Sequence, residues 1–287
     1  MIIKTKVRYF LSLIIGIFLC VWVFNFFDGS EAFSIIKNNL YNMHYLIFTH
    51  LITLIFDSLS WFVLLGREKI SFTWSLIITW ISQACVKFLP VGNISGEFVR
   101  IYFLISKGLS SPAATSIVFA DLILAAFSLL IISAVSFFVL ATDNYGFFLG
   151  ENNFVILSSL FLFFFVFLIS FLLIRLRAIK KICRKFKKKN VLFSRRMIIN
   201  LLKVDYLLYQ LSFEKKKIIN SLFLKIIGWI CGALEIYVFL WIIDIEINFL
   251  DLIILESLMS LIRSFAFFIP ASIGIQELAF VIVGSYL

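Results

Sequence analysis

The chain has 287 residues, 62% hydrophobic and only 15% charged, with a formal net charge of +10. Soluble domains are about half apolar and a quarter charged, so this balance excludes a large soluble core and describes a polytopic membrane protein. Cys20, Cys85, Cys183 and Cys231 have no paired spacing, and His44 and His50 stand six apart, so neither a disulfide framework nor a metal site is expected.

The N-terminal segment MIIKTKVRYFLSLIIGIFLCVWVFNFF opens with cations and runs into hydrocarbon without a small-residue cleavage site. It is predicted to be a retained first helix over 7–27. Further apolar runs long enough to cross a bilayer, at about 20 residues each, lie at 44–66, 112–141, 153–174 and 218–243. Two regions are interrupted. Residues 72–89 are apolar, KFLPVGNISGEFVR (87–100) breaks the pattern, and 98–106 are apolar again. Residues 252–269 are apolar, Pro270 intervenes, and 278–287 are apolar.

Charge sets the expected topology. Residues 175–217 carry fifteen Lys or Arg against Asp205 and Glu214, and RLRAIKKICRKFKKK (175–189) holds nine cations and no acid. Directly after an apolar span, such a run is a cytoplasmic loop facing anionic lipid, not a nucleic-acid site. Within it, RRMIINLLKVDYLLYQLSFEKKK has apolar residues at helical spacing and basic ends, as an amphipathic helix on the inner membrane surface does. Lys4, Lys6 and Arg8 place the N-terminus in the cytoplasm as well. An even number of crossings must then separate the two. As a helix, residues 98–106 extend only about 13 Å, too short to cross. The pair 72–89 and 98–106 is therefore predicted to form a re-entrant hairpin that enters from the cytoplasm and returns to it.

The second interrupted region echoes the first. FLPVGNISGEFV (88–99) and FIPASIGIQELA (268–279) share an aromatic-aliphatic-Pro start, small residues with Gly, and a Glu seven positions after Pro. Pro90 thus corresponds to Pro270 and Glu97 to Glu277. Starting from opposite sides, the two form an expected inverted repeat of broken helices, an arrangement that transporters use for midplane binding sites. The predicted fold class is all-α, a polytopic integral membrane protein with two re-entrant broken-helix hairpins in an inverted repeat. The domain reading is one transmembrane domain over 1–287 containing the basic loop 175–217.

The chemistry gathers at these breaks. Irregular backbone at membrane depth requires cover by protein or water. Pro90 removes a donor, and Gly92 and Gly96 allow a turn and close approach. The arm starting near Ser95 offers free N–H groups that favour an anion such as a phosphate headgroup, and Gly274, Gln276 and Glu277 repeat the device. Glu97 and Arg100 share a helix face, either as an ion pair or with the guanidinium turned to a phosphate. Lys87 either snorkels to the interface or joins the headgroup site. Asp57, Asp121, Glu235, Glu256 and Arg263 also fall inside apolar spans, where ionisable groups face an interior cavity. Glu256 and Arg263, two turns apart, can brace the second hairpin. Asp57, Asp121 and Glu235 either carry a coupling proton or ion or pair with Lys87, Arg100 or Arg263. No nucleophile elbow, phosphate loop or His-Glu-x-x-His motif is present, and no cofactor, metal or catalytic residue is expected.

KFLPVGNISGEFVR, Asp121 after SPAATSIVFA, and LESLMSLIRSFAFFIPASIGIQELAF together resemble the lysylphosphatidylglycerol synthase transmembrane family, also called flippase-like. The last string most resembles the subgroup labelled hopanoid-biosynthesis-associated. The resemblance spans about 40–287. Pro90, Gly92, Gly96, Glu97, Arg100, Asp121, Glu256, Arg263, Pro270, Gly274, Gln276 and Glu277 match the pattern. It implies lipid translocation, with a polar cavity between the broken-helix regions. Two departures stand out. Ala-Ser-Ile follows Pro270 where the family usually has glycines, and no aminoacyl-transferase domain follows Leu287, so lipid aminoacylation by this chain is not expected.

The expected function is thus a non-enzymatic flippase in the plasma (inner) membrane. Its cargo is an anionic, headgroup-modified or polyprenyl-phosphate-linked lipid. The expected partners are membrane lipids with anionic headgroups, a second copy or a lipid-biosynthesis enzyme, and not nucleic acid. Two other functions compete: an intramembrane transferase on a lipid-linked substrate, and a non-transporting scaffold that docks a partner through 175–217.

Overall fold

The computed structural model describes residues 18, 21–22, 24–25, 29–66, 70–88, 95–142, 161, 164–165, 168–169, 171–188, 195–265, 275, 277–278 and 280. The described residues are mostly helical, with short turns between helices and no strand among them. In chain order the helices are α1 (Gly29–Asn38), α2 (His44–Leu65), α3 (Phe72–Phe88), α4 (Ser95–Ser106), α5 (Ser111–Thr142), α6 (Ala178–Lys188), α7 (Arg195–Leu211), α8 (Lys215–Ile242) and α9 (Phe249–Phe265).

Their limits follow local chemistry. In α1, Glu31 in the first turn and Lys37 in the last complement the helix dipole. Gly66 closes α2 at φ 76°, a left-handed conformation that glycine adopts without a Cβ penalty, and its N–H donates to the Phe62 carbonyl. Pro112 sits in the first turn of α5, where its missing N–H would have no helical partner anyway.

Among the described helices, His44–Leu65, Ser111–Val139 and Lys215–Ile242 are long and apolar enough to cross a membrane. These are three of the predicted spans. The predicted spans at 7–27 and 153–174, and the apolar arm at 278–287, lie mostly outside the described residues. Helix α4 has 12 residues, about 18 Å, against a hydrocarbon core of about 30 Å.

Helix α2 packs along α8, α3 packs on α2 and α4, and α5 contacts α2, α4, α7, α8 and α9. One apolar core joins Trp61, Ile78, Leu104 and Val118 to Val204 and Leu208 of α7. The apolar residues that α7 carries at helical spacing thus turn partly onto protein. A second core sets Ala233 and Leu240 of α8 against Leu252, Leu255 and Met259 of α9. Phe223, Phe138 and Trp241 face outward, as a surface in contact with lipid requires.

Lipid tails are as apolar as leucine, so packing and polar contacts must hold such helices together. Buried hydroxyls supply those contacts. Ser60 Oγ of α2 lies 3.0 Å from Ser221 Oγ of α8. Trp61 Nε1 donates to Thr79 Oγ1 of α3 at 2.6 Å, and Ser75 Oγ to the Ser58 carbonyl at 3.2 Å. Ser257 Oγ of α9 donates to Ser136 Oγ of α5 at 2.9 Å, and Trp229 Nε1 of α8 to Ser128 Oγ of α5 at 3.0 Å.

Candidate functional site

Close contact with α3 fixes the start of α4. A Cβ on Gly96 would lie 2.7 Å from both Ser82 Oγ and Val86 Cγ2, so only glycine admits this approach. Ser95 Oγ donates to the Cys85 carbonyl at 3.2 Å. With this end seated on α3, the face bearing Glu97 and Arg100 meets α5 and α2.

There a buried charge cluster assembles from four helices. Arg100 Nη1 donates to Asp121 Oδ2 at 2.8 Å, and Lys225 Nζ of α8 lies 2.8 Å from Asp121 Oδ1. The three side chains are only 11%, 4% and 7% exposed for Arg100, Asp121 and Lys225 respectively. Glu97 lies 3.8 Å from Arg100, beyond hydrogen-bond reach. The Arg100 guanidinium stands 5.5 Å from the centre of the Trp61 ring, which shields its α2 side. One turn back on α2, Asp57 Oδ2 accepts from Gln83 Nε2 of α3 at 3.0 Å. Gly228 of α8 leaves Asp57 room, because a Cβ there would lie 3.4 Å from Oδ1. Charges without water are stable only when paired and hydrogen-bonded, and Asp121 here neutralises two cations at once.

A second polar group lies on α9. Ser260 Oγ donates to Glu256 Oε1 at 3.0 Å and accepts from Arg263 Nη2 at 2.6 Å, while Arg263 Nη2 and Glu256 Oε1 are 3.7 Å apart. The hydroxyl bridges the pair expected from its two-turn spacing. Gly232 of α8 faces this carboxylate, 3.6 Å from the position of an added Cβ. Glu235 Oε2 stands 3.2 Å from His50 Nδ1 across the α2–α8 seam, and both are partly exposed.

The structure thus brings together Glu97, Arg100 and Asp121, with Asp57 beside them. It separates Glu256 and Arg263 into their own group on α9. The close partner of Arg100 is Asp121 at 2.8 Å rather than Glu97 at 3.8 Å. Asp57 and Glu235 pair with neither Lys87, Arg100 nor Arg263; their partners are Gln83 and His50. Lys87 is exposed on the last turn of α3 with no ion-pair partner among the described residues, and Glu277 is helical and exposed. Pro90, Gly92, Pro270, Gly274 and Gln276 lie outside the described residues. Lys225, Gln83 and Trp61 are members that sequence reasoning missed. A lysine inside the apolar run 218–243 was the available signal for the first; nothing local marked the other two. No group of three His, Cys, Asp or Glu able to hold a metal occurs among the described residues.

The lysylphosphatidylglycerol synthase TM region, as a family, matches residues 9–287. The chain belongs to this family. The match reaches the family and does not distinguish the hopanoid-associated subgroup. No curated protein and no solved structure matches the chain. Family membership and the three spanning-length helices together make this lysylphosphatidylglycerol synthase TM protein an integral membrane protein. The charge cluster and the α9 group both fall within the matched range.

Proposed function

We propose that the protein is a flippase of the plasma membrane, moving an anionic, headgroup-modified or polyprenyl-phosphate-linked lipid between leaflets. One observation carries this reading: Arg100 and Lys225 converge at 2.8 Å on a single carboxylate, Asp121, inside a bundle of spanning-length helices. Intramembrane charges are costly and mark substrate or ion paths. A guanidinium and an ammonium that share one carboxylate form a ready anion site. A lipid phosphate entering the cluster takes over the ion-pair contacts of Asp121, so one anion replaces another without stripping a bare cation. The dipole at the start of α4 adds a favourable field.

In this reading α3 and α4 are the arms of a re-entrant hairpin, and α9 with the segment around Glu277 forms its inverted counterpart. The shortness of α4 and the Gly96 contact support the first hairpin. Residues 175–217, with α6 and α7, face the cytoplasm. Labelling Asn93→Cys from inside and Ser272→Cys from outside tests the repeat; labelling of both from one side refutes it. The carboxylates are committed to cations and amides rather than standing as an acid–base pair, which favours transport over an intramembrane transferase. A scaffold would leave the buried cluster without a use.

The test is translocation of a fluorescent anionic lipid in liposomes holding the full-length protein. Arg100→Ala should fall to the protein-free rate, and Arg100→Lys, which keeps the charge but loses the planar fork, should lie between. Equal rates for wild type, Arg100→Ala and empty vesicles would overturn the proposal.

A further inference from the structure

The charge cluster does not balance. Among the described residues, Asp57, Glu97 and Asp121 face two permanent cations, Arg100 and Lys225, and both sit on Asp121. Glu97 keeps a 3.8 Å contact to Arg100. Asp57 has no cation within ion-pair distance among the described residues; the neutral Gln83 amide is its hydrogen-bond partner. A carboxylate in hydrocarbon without a counter-ion is strongly disfavoured and takes up a cation or a proton instead.

Two further observations point to the proton. The first is Gln83 itself. Its Nε2 donates to Asp57, while its Oε1 is buried without a hydrogen-bond partner. Half a turn of the amide exchanges the two atoms. Gln83 then donates to Asp57 as carboxylate and accepts from Asp57 as acid, so one side chain serves both protonation states. A metal cation would instead want about six oxygens, and Asp57 with Gln83 offers far fewer.

The second observation is a polar line leading outward. Lys225, Gly228, Gly232 and Glu235 recur every three or four residues and so share one face of α8. That face meets Asp57 at Gly228, Glu256 at Gly232, and His50 at Glu235. The His50–Glu235 pair at the outer end is exposed to 46% and 36%. It stands about 15 Å along α8 from Lys225. At the two glycines the α8 backbone comes close to the carboxylates, an added Cβ lying 3.4 Å from Asp57 Oδ1 and 3.6 Å from Glu256 Oε1.

We propose that Asp57 is an exchangeable proton site, reached along the α2–α8 seam from His50 and Glu235, and that its protonation couples lipid translocation to a pH gradient. The titratable groups acting on Asp57 are His50 on α2, Arg100 on α4, Asp121 on α5, and Lys225 and Cys231 on α8, while α3 presents neutral Gln83. A proton on Asp57 leaves two carboxylates facing two cations and balances the cluster. The coupling half of this proposal rests on the translocation reading; the proton site stands without it.

Difference infrared spectroscopy on the full-length protein in phosphatidylglycerol-containing liposomes tests the site directly. A pH jump should change the carbonyl band of a protonated carboxyl. That band should vanish in Asp57→Asn and persist in Asp57→Glu and Glu256→Gln. A band unchanged in Asp57→Asn, or no band in the wild type, overturns the proton site. In the same vesicles, translocation of a fluorescent phosphatidylglycerol should differ between inside-acid and outside-acid gradients, and Asp57→Asn should lose that difference. Wild-type translocation indifferent to the gradient overturns the coupling and leaves the flippase reading intact. An intact band with no translocation overturns the flippase reading and leaves the proton site.

Discussion

Asp121 joins the two cations of the cluster, so Asp121→Asn is the sharpest perturbation. The amide keeps the volume of the side chain and removes its charge. Lys225 then loses its ion-pair contact, with Asp57 as a remaining carboxylate beyond ion-pair distance, and Arg100 retains Glu97 at 3.8 Å among the described residues. Breaking a buried pair by removing one partner costs about 3–5 kcal/mol, because the other charge remains uncompensated. The burial of Arg100 and Lys225 places this site in that class, and the residual Glu97 contact sets the expectation near the lower end, about 3 kcal/mol. Adding Lys225→Met deletes the stranded ammonium and should return part of the loss. Groups in direct contact show coupling of about 0.5–3 kcal/mol, so the double variant should be more stable than the sum of the singles by at least about 1 kcal/mol. Reversible unfolding in mixed detergent micelles, followed by tryptophan fluorescence, measures the cycle. Strict additivity, or an Asp121→Asn variant within about 0.5 kcal/mol of wild type, would refute the argument that one carboxylate holds both cations.

Other outcomes follow from single contacts. Gly96→Ala drives a Cβ to 2.7 Å from Ser82 Oγ and Val86 Cγ2 and should cost about 1–3 kcal/mol, whereas Gly228→Ala, with 3.4 Å to Asp57 Oδ1, should unfold close to wild type in the same micelles. Ser257→Ala removes the hydroxyl contact between α9 and α5 and should cost about 0.6–1.7 kcal/mol, the range for polar contacts between membrane helices; no loss would remove Ser257 from the interhelical contacts. Burial first, and the Asp205 carboxylate second, push the Cys183 thiol above its ordinary value. The thiolate is the reactive form, so maleimide labelling of Cys183 near pH 8 should be slower than that of an unstructured thiol and should accelerate as pH rises. Labelling at the unstructured rate would contradict the buried placement of α6.

Membrane character, the helical class and the position of most helices are legible in residue order alone. Hydrophobic runs of spanning length are a local property, and no bilayer-compatible alternative to the helix satisfies the backbone over such runs. Residue order therefore placed α2, α5 and α8 within a few residues, and it marked Arg100, Asp121 and Asp57 because charge inside hydrocarbon is conspicuous. The Glu256–Arg263 bridge was also legible, since a two-turn spacing puts both on one face. Pairing across helices, by contrast, emerges from packing and not from any local pattern. Arg100 sees Glu97 three residues away in sequence, yet bonds Asp121 on the next helix, because Gly96 lets α4 approach α3 closely enough to turn that face toward α5. Lys225 joins the same carboxylate from a helix more than a hundred residues downstream. No periodicity encodes that meeting, because it depends on how four helices pack and on which carboxylate they bring within 2.8 Å of two cations.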